Sequence, residues 1–337
     1  MRAIPTLSKF PYSLVTRTYN PAMLFRRLRG GDIAHVHLIG GFSPLVFSRL
    51  KRNHHAVAWT AHDPQVMCGQ CLLPTDGSDC LGLGSSKCKG CGNALDKVRK
   101  RVSSNHHTPN VDAFIAPSKW MWTNFVKSGY PKEKLHLIKN GIDMSEFPES
   151  PVPTEPIILF CGRMTPHKGL MMLLRAFEIV LGEVPDAKLV LMGDGERAAY
   201  GRSFVREQGI ENAVMFVGYQ KCTAFFYKIA KVVAHPSSIP ENCSLVLLEA
   251  HATGRPTVST RVGGNSEVVK EGVTGALANP GDHEGMAEHL IRILGSDDVA
   301  TRMGKAARIR TKKHFNINVA IDKHDHLFHN LMEEATR

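Results

Sequence analysis

Apolar residues fall in short runs at 33–37, 56–60, 113–116 and 135–138, and again at 157–160, 189–192, 214–217, 232–234 and 257–259. Between the runs lie longer stretches in which apolar positions recur every three or four residues. Short continuous β-branched runs alternating with helical periodicity predict parallel strands covered on both faces by helices. The expected fold class is therefore α/β.

One segment interrupts the alternation. Residues 148–156, Pro-Glu-Ser-Pro-Val-Pro-Thr-Glu-Pro, carry prolines at 148, 151, 153 and 156 and read as a linker, because proline removes a backbone donor and fixes φ. The pattern divides the chain into a first doubly wound domain at 1–150 and a second at 151–315. A C-terminal helix at 316–337 is placed to cross back to the first domain. In such sheets ligands bind outside the carboxyl ends of the strands, which here puts the expected site in the interdomain cleft.

Composition narrows the class. The chain is 43% hydrophobic and 22% charged, as soluble globular proteins are. No run reaches the roughly 18 apolar residues of a membrane span. The N-terminus lacks the apolar core of a secretory signal, so a cytoplasmic location is expected. The formal net charge of +11 points to an anionic partner: a phosphorylated substrate, nucleic acid or the acidic face of a membrane. A basic run at 97–101 adds to this.

The candidate chemistry begins where strands end. After the run at 157–160 comes Cys161-Gly162-Arg163-Met164-Thr165-Pro166-His167-Lys168-Gly169-Leu170, then an amphipathic helix. Two cations beside a helix N-terminus suit a diphosphate. Met192-Gly193-Asp194-Gly195-Glu196 is a second glycine turn after a strand. Farther on, Ile239-Pro240-Glu241-Asn242-Cys243-Ser244-Leu245 leads into an apolar stretch ending at Glu249. If a helix starts near Ser244, eight residues at about 1.5 Å each separate the two carboxylates by roughly 12 Å along its axis, which is about the span from sugar ring to ribose in a nucleotide sugar. Glu241 would then meet sugar hydroxyls and Glu249 ribose hydroxyls. The backbone N–H groups of Cys243, Ser244 and Leu245 would face the diphosphate.

The Glu-x7-Glu spacing, the Gly-x-Arg-x4-Lys-Gly loop, His235-Pro236-Ser237, and Gly263-Gly264-Asn265-Ser266-Glu267 with Gly272-Val273-Thr274-Gly275 together resemble the retaining glycosyltransferases of family 4. The resemblance covers residues 32 to about 315. It implies the GT-B fold, two doubly wound Rossmann-like domains facing each other across a cleft, and transfer of a sugar from a nucleotide-diphosphate donor to a hydroxyl. By position it implies Arg163, Lys168 and Gly162 at the donor diphosphate, Glu241 at the donor sugar and Glu249 at the ribose. Asn242, Cys243, Ser244 and Leu245 would supply backbone contacts, with Asp194 among the donor-binding residues. In the first half, Thr60-Ala61-His62-Asp63 matches the family's Thr-x-His-Asp, whose histidine reaches the donor sugar. His62, Glu241, Arg163 and Lys168 are thus the expected catalytic set. The chemistry needs no cofactor, and the implied partners are the nucleotide sugar and a saccharide or lipid-linked acceptor, with no nucleic acid. A basic surface would suit peripheral attachment at the inner face of an anionic membrane.

Five of the eight cysteines lie between 68 and 91. Cys68-x2-Cys71 and Cys88-x2-Cys91, inside an insertion at 64–95, have the spacing of a four-thiolate structural zinc site, with an iron–sulfur cluster as the alternative. The chain departs from the family at its start. The strand at 33–37 comes too early to be preceded by the family's first strand and Gly-rich loop, so the first sheet is expected to have an unpaired edge. That shortening motivates an alternative reading, a truncated, catalytically impaired homologue that binds the donor as a binding or scaffold protein.

Overall fold

The computed structural model describes residues 12–14, 31–37, 45–62 and 108–336. The chain forms two units, Met1–Asn140 together with Asn318–Arg337, and Gly141–Ile317. The division falls ahead of the proline-rich stretch, and the end of the chain belongs with the first unit.

In the first unit β1 (Tyr12–Leu14), β2 (Gly31–Val36), α1 (Leu45–Asn53), β3 (His54–Thr60), β4 (Ala113–Ala116), α2 (Lys119–Lys127) and β5 (Leu135–Leu137) follow in order. The strands are all parallel and neighbour one another in chain order. Side chains alternate across the sheet. Val57, Trp59 and Phe114 pack with Phe47, Leu50, Met121 and Phe125 from α1 and α2. On the other face Ala56, Ala58 and Ile115 meet Leu327, Phe328 and Leu331 from the chain's final helix.

The expectation of an unpaired edge is corrected by β1. Tyr12 lies opposite Ile33 and Leu14 opposite His35, in parallel register. Three residues are too few to show an alternation, so the strand is visible only through its pairing. Residues 15–30, which follow it, lie outside the described residues, as do the insertion at 64–95 and the basic run at 97–101.

The second unit contains β6 (Ile157–Cys161), α3 (Leu170–Glu183), β7 (Lys188–Met192), α4 (Ala198–Glu207), β8 (Val214–Gly218), α5 (Ala224–Ile229), β9 (Val232–His235), α6 (Leu245–Ala252), β10 (Thr257–Thr260), α7 (Asn265–Val268), β11 (Gly275–Ala278), α8 (His283–Leu294) and α9 (Asp297–His314). A final helix, α10 (Ile317–Thr336), closes the chain and packs in the first unit. The second sheet runs β11-β10-β9-β6-β7-β8, all parallel. From β6 the chain adds β7 and β8 on one side, then returns to add β9, β10 and β11 on the other. This is the doubly wound Rossmann order, with its reversal between β6 and β9. β11 has no β-branched residue and was not expected; pairing with β10 alone makes it a strand. Ile158 and Phe160 of β6 enter the core under α3 and α8, whereas Leu159 enters the core under α5 and α6.

The proline-rich stretch has no regular structure, yet it is fastened down. Arg255 is completely buried, and its guanidinium donates to the carbonyls of Ser150 (2.9 Å), Pro151 (2.9 Å), Tyr227 (2.8 Å) and Lys228 (3.0 Å) and to the Ser150 hydroxyl. Burial lowers its pKa to about 10, which leaves it charged at neutral pH. A buried cation is tolerated only with its donors satisfied, and here they are.

Candidate functional site

Strand order decides where a site can form. At the reversal, β6 and β9 lie side by side, and in sheets of this order ligands bind outside the carboxyl ends of the strands at that point. The loop leaving β6 carries Lys168 and the loop leaving β9 carries Glu241, 73 residues later. Their side chains meet there: Lys168 Nζ donates to Glu241 Oε1. Ser237 Oγ donates to the same oxygen at 2.9 Å, and His235 Nε2 lies 3.8 Å from it.

The electrostatics follow from this packing. Burial pushes the Glu241 pKa upward, but the neighbouring His235 and Lys168 and the hydrogen bonds from Lys168 and Ser237 outweigh it, leaving a net depression. Burial takes His235 down to about 4, against the pull of Glu241. At neutral pH His235 is therefore neutral, and Lys168 with Ser237 maintains the Glu241 carboxylate. An ammonium has three donors, so Lys168 can hold Glu241 and still offer hydrogen bonds to an anion.

The two loops are knitted by their backbones. Ser238 N–H donates to the His167 carbonyl at 2.9 Å, and Gly264 N–H to the Glu241 carbonyl at 2.7 Å. Gly169, at φ +72°, lies so close to the second loop that a Cβ there would fall 1.9 Å from the Pro236 carbonyl oxygen. Thr260 Oγ1 donates to the Ser237 carbonyl at 2.5 Å and Ser259 Oγ to that of His235 at 3.1 Å, so β10 braces the loop from behind.

α6 begins at Leu245 with Ser244 as its N-cap. Residues 241–244 are loop, so the rise of about 1.5 Å per residue applies only from Leu245 onward. Glu249, in the second turn, is half-buried and accepts from the Tyr227 hydroxyl at 2.7 Å. Burial raises its pKa, the Tyr227 bond opposes this, and Glu146 adds to the rise. Tyr227 is fully buried with its carbonyl held by Arg255, so the buried arginine orients the hydroxyl that holds Glu249. Cys161, at the end of β6, also meets Tyr227, and burial raises its thiol to about 11. Nothing in the spacing of Tyr227, 22 residues before Glu249, announced this partnership; the only signal was a tyrosine in an otherwise apolar stretch.

The other expected residues are placed as follows. Arg163 is exposed, and its carbonyl accepts from Thr165 N–H at 3.0 Å. Gly162 N–H donates to the Met192 carbonyl at 3.0 Å, joining the loop to the turn after β7. In that turn the Asp194 carboxylate accepts from Gly195 N–H at 2.7 Å and its carbonyl from Met164 N–H at 2.8 Å. Asn242 and Ser244 are buried, Cys243 is half-buried, and the Leu245 side chain is 49% exposed at the start of α6. His62 stands exposed just past β3 in the first unit, its Nε2 bonded to His37 Nδ1 at 2.9 Å. Cys68, Cys71, Cys88 and Cys91 lie outside the described residues, among which no cluster of three or more His, Cys, Asp or Glu is arranged to hold a metal ion.

A family model described as "Glycosyl transferases group 1" matches residues 143–310, and one described as "Glycosyltransferase Family 4" matches residues 2–146. N-acetyl-alpha-D-glucosaminyl L-malate synthase of Bacillus anthracis is 30% identical over 223 residues, covering 65% of this chain and 56% of that protein. Lipopolysaccharide 1,2-N-acetylglucosaminetransferase of Salmonella typhimurium is 28% identical over 233 residues, covering 63% of this chain and 61% of its own. The chain thus spans about half to three-fifths of the length of these curated relatives. Among solved structures, Anabaena HepE in complex with UDP and glucose superposes with a TM-score of 0.72 at 20% identity, over 91% of this chain and 80% of that one. Two family models that between them match nearly the whole chain, on two Rossmann-like units, show that it belongs to the group 1 glycosyltransferases of family 4 and has the GT-B fold.

Proposed function

We propose that the protein transfers a sugar from a nucleotide-diphosphate sugar to a hydroxyl acceptor with retention of anomeric configuration, in the synthesis of a polysaccharide, lipopolysaccharide or glycolipid. The observation that carries this is the Lys168–Glu241 pair at the strand reversal, beside the start of α6. A carboxylate kept ionised by a lysine suits a sugar whose hydroxyls donate to it, while the same lysine neutralises the departing diphosphate. Family membership and the relatives' named activities support the same reading.

Arg163, Lys168, Gly162 and the N–H groups opening α6 stabilise the charge that develops on the leaving diphosphate. Glu241 and His62 serve the sugar, the backbone of Asn242 to Leu245 serves sugar and phosphate, and Glu249 holds the ribose, with Asp194 shaping the neighbouring turn. The anomeric carbon–oxygen bond to the diphosphate breaks, the acceptor oxygen bonds to that carbon on the same face, and the acceptor proton passes to the departing phosphate oxygen. The acceptor is a saccharide or lipid-linked hydroxyl, and the net charge of +11 would hold the enzyme at an anionic membrane surface.

A thermal-shift series of UDP, GDP and their glucose and mannose conjugates, followed by assay of nucleotide release, tests the proposal. A rise of several degrees with one base and release of that nucleotide diphosphate are expected. No shift with any member would end the reading, and binding without turnover would favour the impaired homologue instead.

Tyr227→Phe probes the ribose end. Without the hydroxyl, Glu249 keeps the upward push of burial and loses the bond that opposes it. Affinity for the preferred nucleotide diphosphate should fall about tenfold, as expected for losing a hydrogen bond to a charged group, and the deficit should be larger at pH 6 than at pH 8, because the Glu249 pKa moves further upward. Titration calorimetry at the two pH values is the measurement; affinities equal to wild type at both would remove Glu249 from the site.

A further inference from the structure

Four histidines gather at the carboxyl ends of β2 and β3. His35 and His37 end β2, His62 follows β3, and His324 comes from α10. The His35 ring lies 4.1 Å from that of His37 and 5.4 Å from that of His324, with Phe328 at 5.2 Å. His35 Nε2 is 2.8 Å from Thr60 Oγ1, two residues before His62. The His37 and His62 ring centroids are 5.2 Å apart with planes inclined by 15°, which with the 2.9 Å Nδ1–Nε2 contact makes a nearly in-plane bond between two imidazoles.

Such a bond carries one proton. Two neutral rings can form it only if both are protonated on Nδ1 or both on Nε2, so the two tautomers are linked. Burial, then the nearness of His62 and His324, lowers His37 to about 4, and burial foremost keeps His35 well below the ordinary histidine range. His37 is therefore neutral near pH 7. As a neutral ring it can either donate or accept the single hydrogen bond to His62 Nε2 through its own Nδ1. His324 is lowered by burial, against its bond to the Ala320 carbonyl and the neighbouring Asp325. Behind the pair, Thr60 and Phe328 hold the ring of His35, which packs against that of His37.

We infer that His37 is the positioning residue of His62: through the Nδ1–Nε2 bond it fixes the plane and the tautomer of the ring that serves the donor sugar. This rests on the role proposed for His62, since His37 itself need meet no substrate. Its value is in preorganisation. A ring held in one plane and one tautomer needs no rearrangement when the donor arrives.

The test uses the full chain at pH 8, where long-range proton–nitrogen NMR reads each imidazole's tautomer. In the wild type the two ring nitrogens of His62 should show the well-separated shifts of one tautomer. In His37→Phe they should converge toward averaged values, and in His37→Asn, whose amide reaches about where Nδ1 was, they should separate again. With UDP-glucose as the probe, His37→Phe should lower kcat for UDP release about tenfold or more while KM changes less than threefold. The double variant His37→Phe/His62→Ala should be no slower than His62→Ala alone. Unchanged His62 shifts in His37→Phe, or fully additive losses in the double variant, would overturn the inference. The shifts are read without turnover, so a chain that releases no UDP counts against the proposed function and leaves the pairing to be judged by its own signal.

Discussion

Glu241→Ala lowers sugar transfer by about two to three orders of magnitude while leaving affinity for the free nucleotide diphosphate within a few fold of wild type. The split follows from where the carboxylate sits. Glu241 is a largely covered acceptor that takes bonds from Lys168 and Ser237, and its proposed ligand is the sugar, which the product nucleotide lacks. Its loss also frees a lysine that the structure keeps partly neutralised, and a free ammonium binds a diphosphate at least as well. Lys168→Ala should give the opposite partition: transfer falls by a similar factor, but nucleotide affinity falls with it, because the cation's proposed ligand is the diphosphate. A further consequence separates the two variants. In Lys168→Ala the carboxylate keeps its burial and loses the charge and hydrogen bond that hold its pKa down. Its pKa rises, so the acid limb of the residual activity, read from pH 8 down to pH 5, should lie at higher pH than in the wild type. In Glu241→Ala no such acid limb from this group remains. Steady-state rates and nucleotide titrations across that pH range read all four quantities. Wild-type transfer in either variant would remove the pair from the mechanism.

Most of the second unit was legible because its information is local. β6, β7, β9 and β10 are apolar runs between periodic stretches, and Lys168, Glu241 and Glu249 stand at fixed distances from strand ends and helix starts. What could not be read depends on residues far apart in the chain. β1 is three residues long and exists by pairing with β2. β11 lacks β-branched residues and is a strand because β10 lies beside it. Tyr227 reaches Glu249 from α5, and Arg255 reaches back over a hundred residues to Ser150. His37 touches His62 only because β2 and β3 are neighbours in register. The sequence motif marks the residues proposed to meet the donor, while the groups that hold them are chosen by topology. The spacing of the two glutamates shows the same limit, since a uniform helical rise was assumed where four residues are loop.

Gly169→Ala is expected to lower transfer about a hundredfold, close to the loss from removing a contacting side chain, although it adds only a methyl group. Gly169 has φ +72° and ψ 22°, ends the short turn Pro166–Lys168 and caps α3. The left-handed conformation alone costs alanine about 1 kcal/mol. The larger effect is steric: the new Cβ would stand 1.9 Å from the Pro236 carbonyl oxygen and 2.7 Å from its carbon. Both are backbone atoms in a loop already fixed by Ser238 N–H and Thr260 Oγ1, so no rotamer can give way. The two loops must part by more than an ångström, and Lys168, the preceding residue, moves with the first while Glu241 stays with the second. Misplacement on that scale costs about a hundredfold in rate even where every group is retained. Gly209→Ala separates strain from clash. Gly209 is at φ +67° with nothing within 4 Å of its Cβ position, so that variant should lose about 1 kcal/mol of stability and none of its transfer rate. The measurement is therefore a pair of melting curves and a pair of rates. A Gly169→Ala protein that melts no lower than Gly209→Ala and transfers sugar at the wild-type rate would show that the loops have room to separate, and that the Lys168–Glu241 contact is not what catalysis depends on.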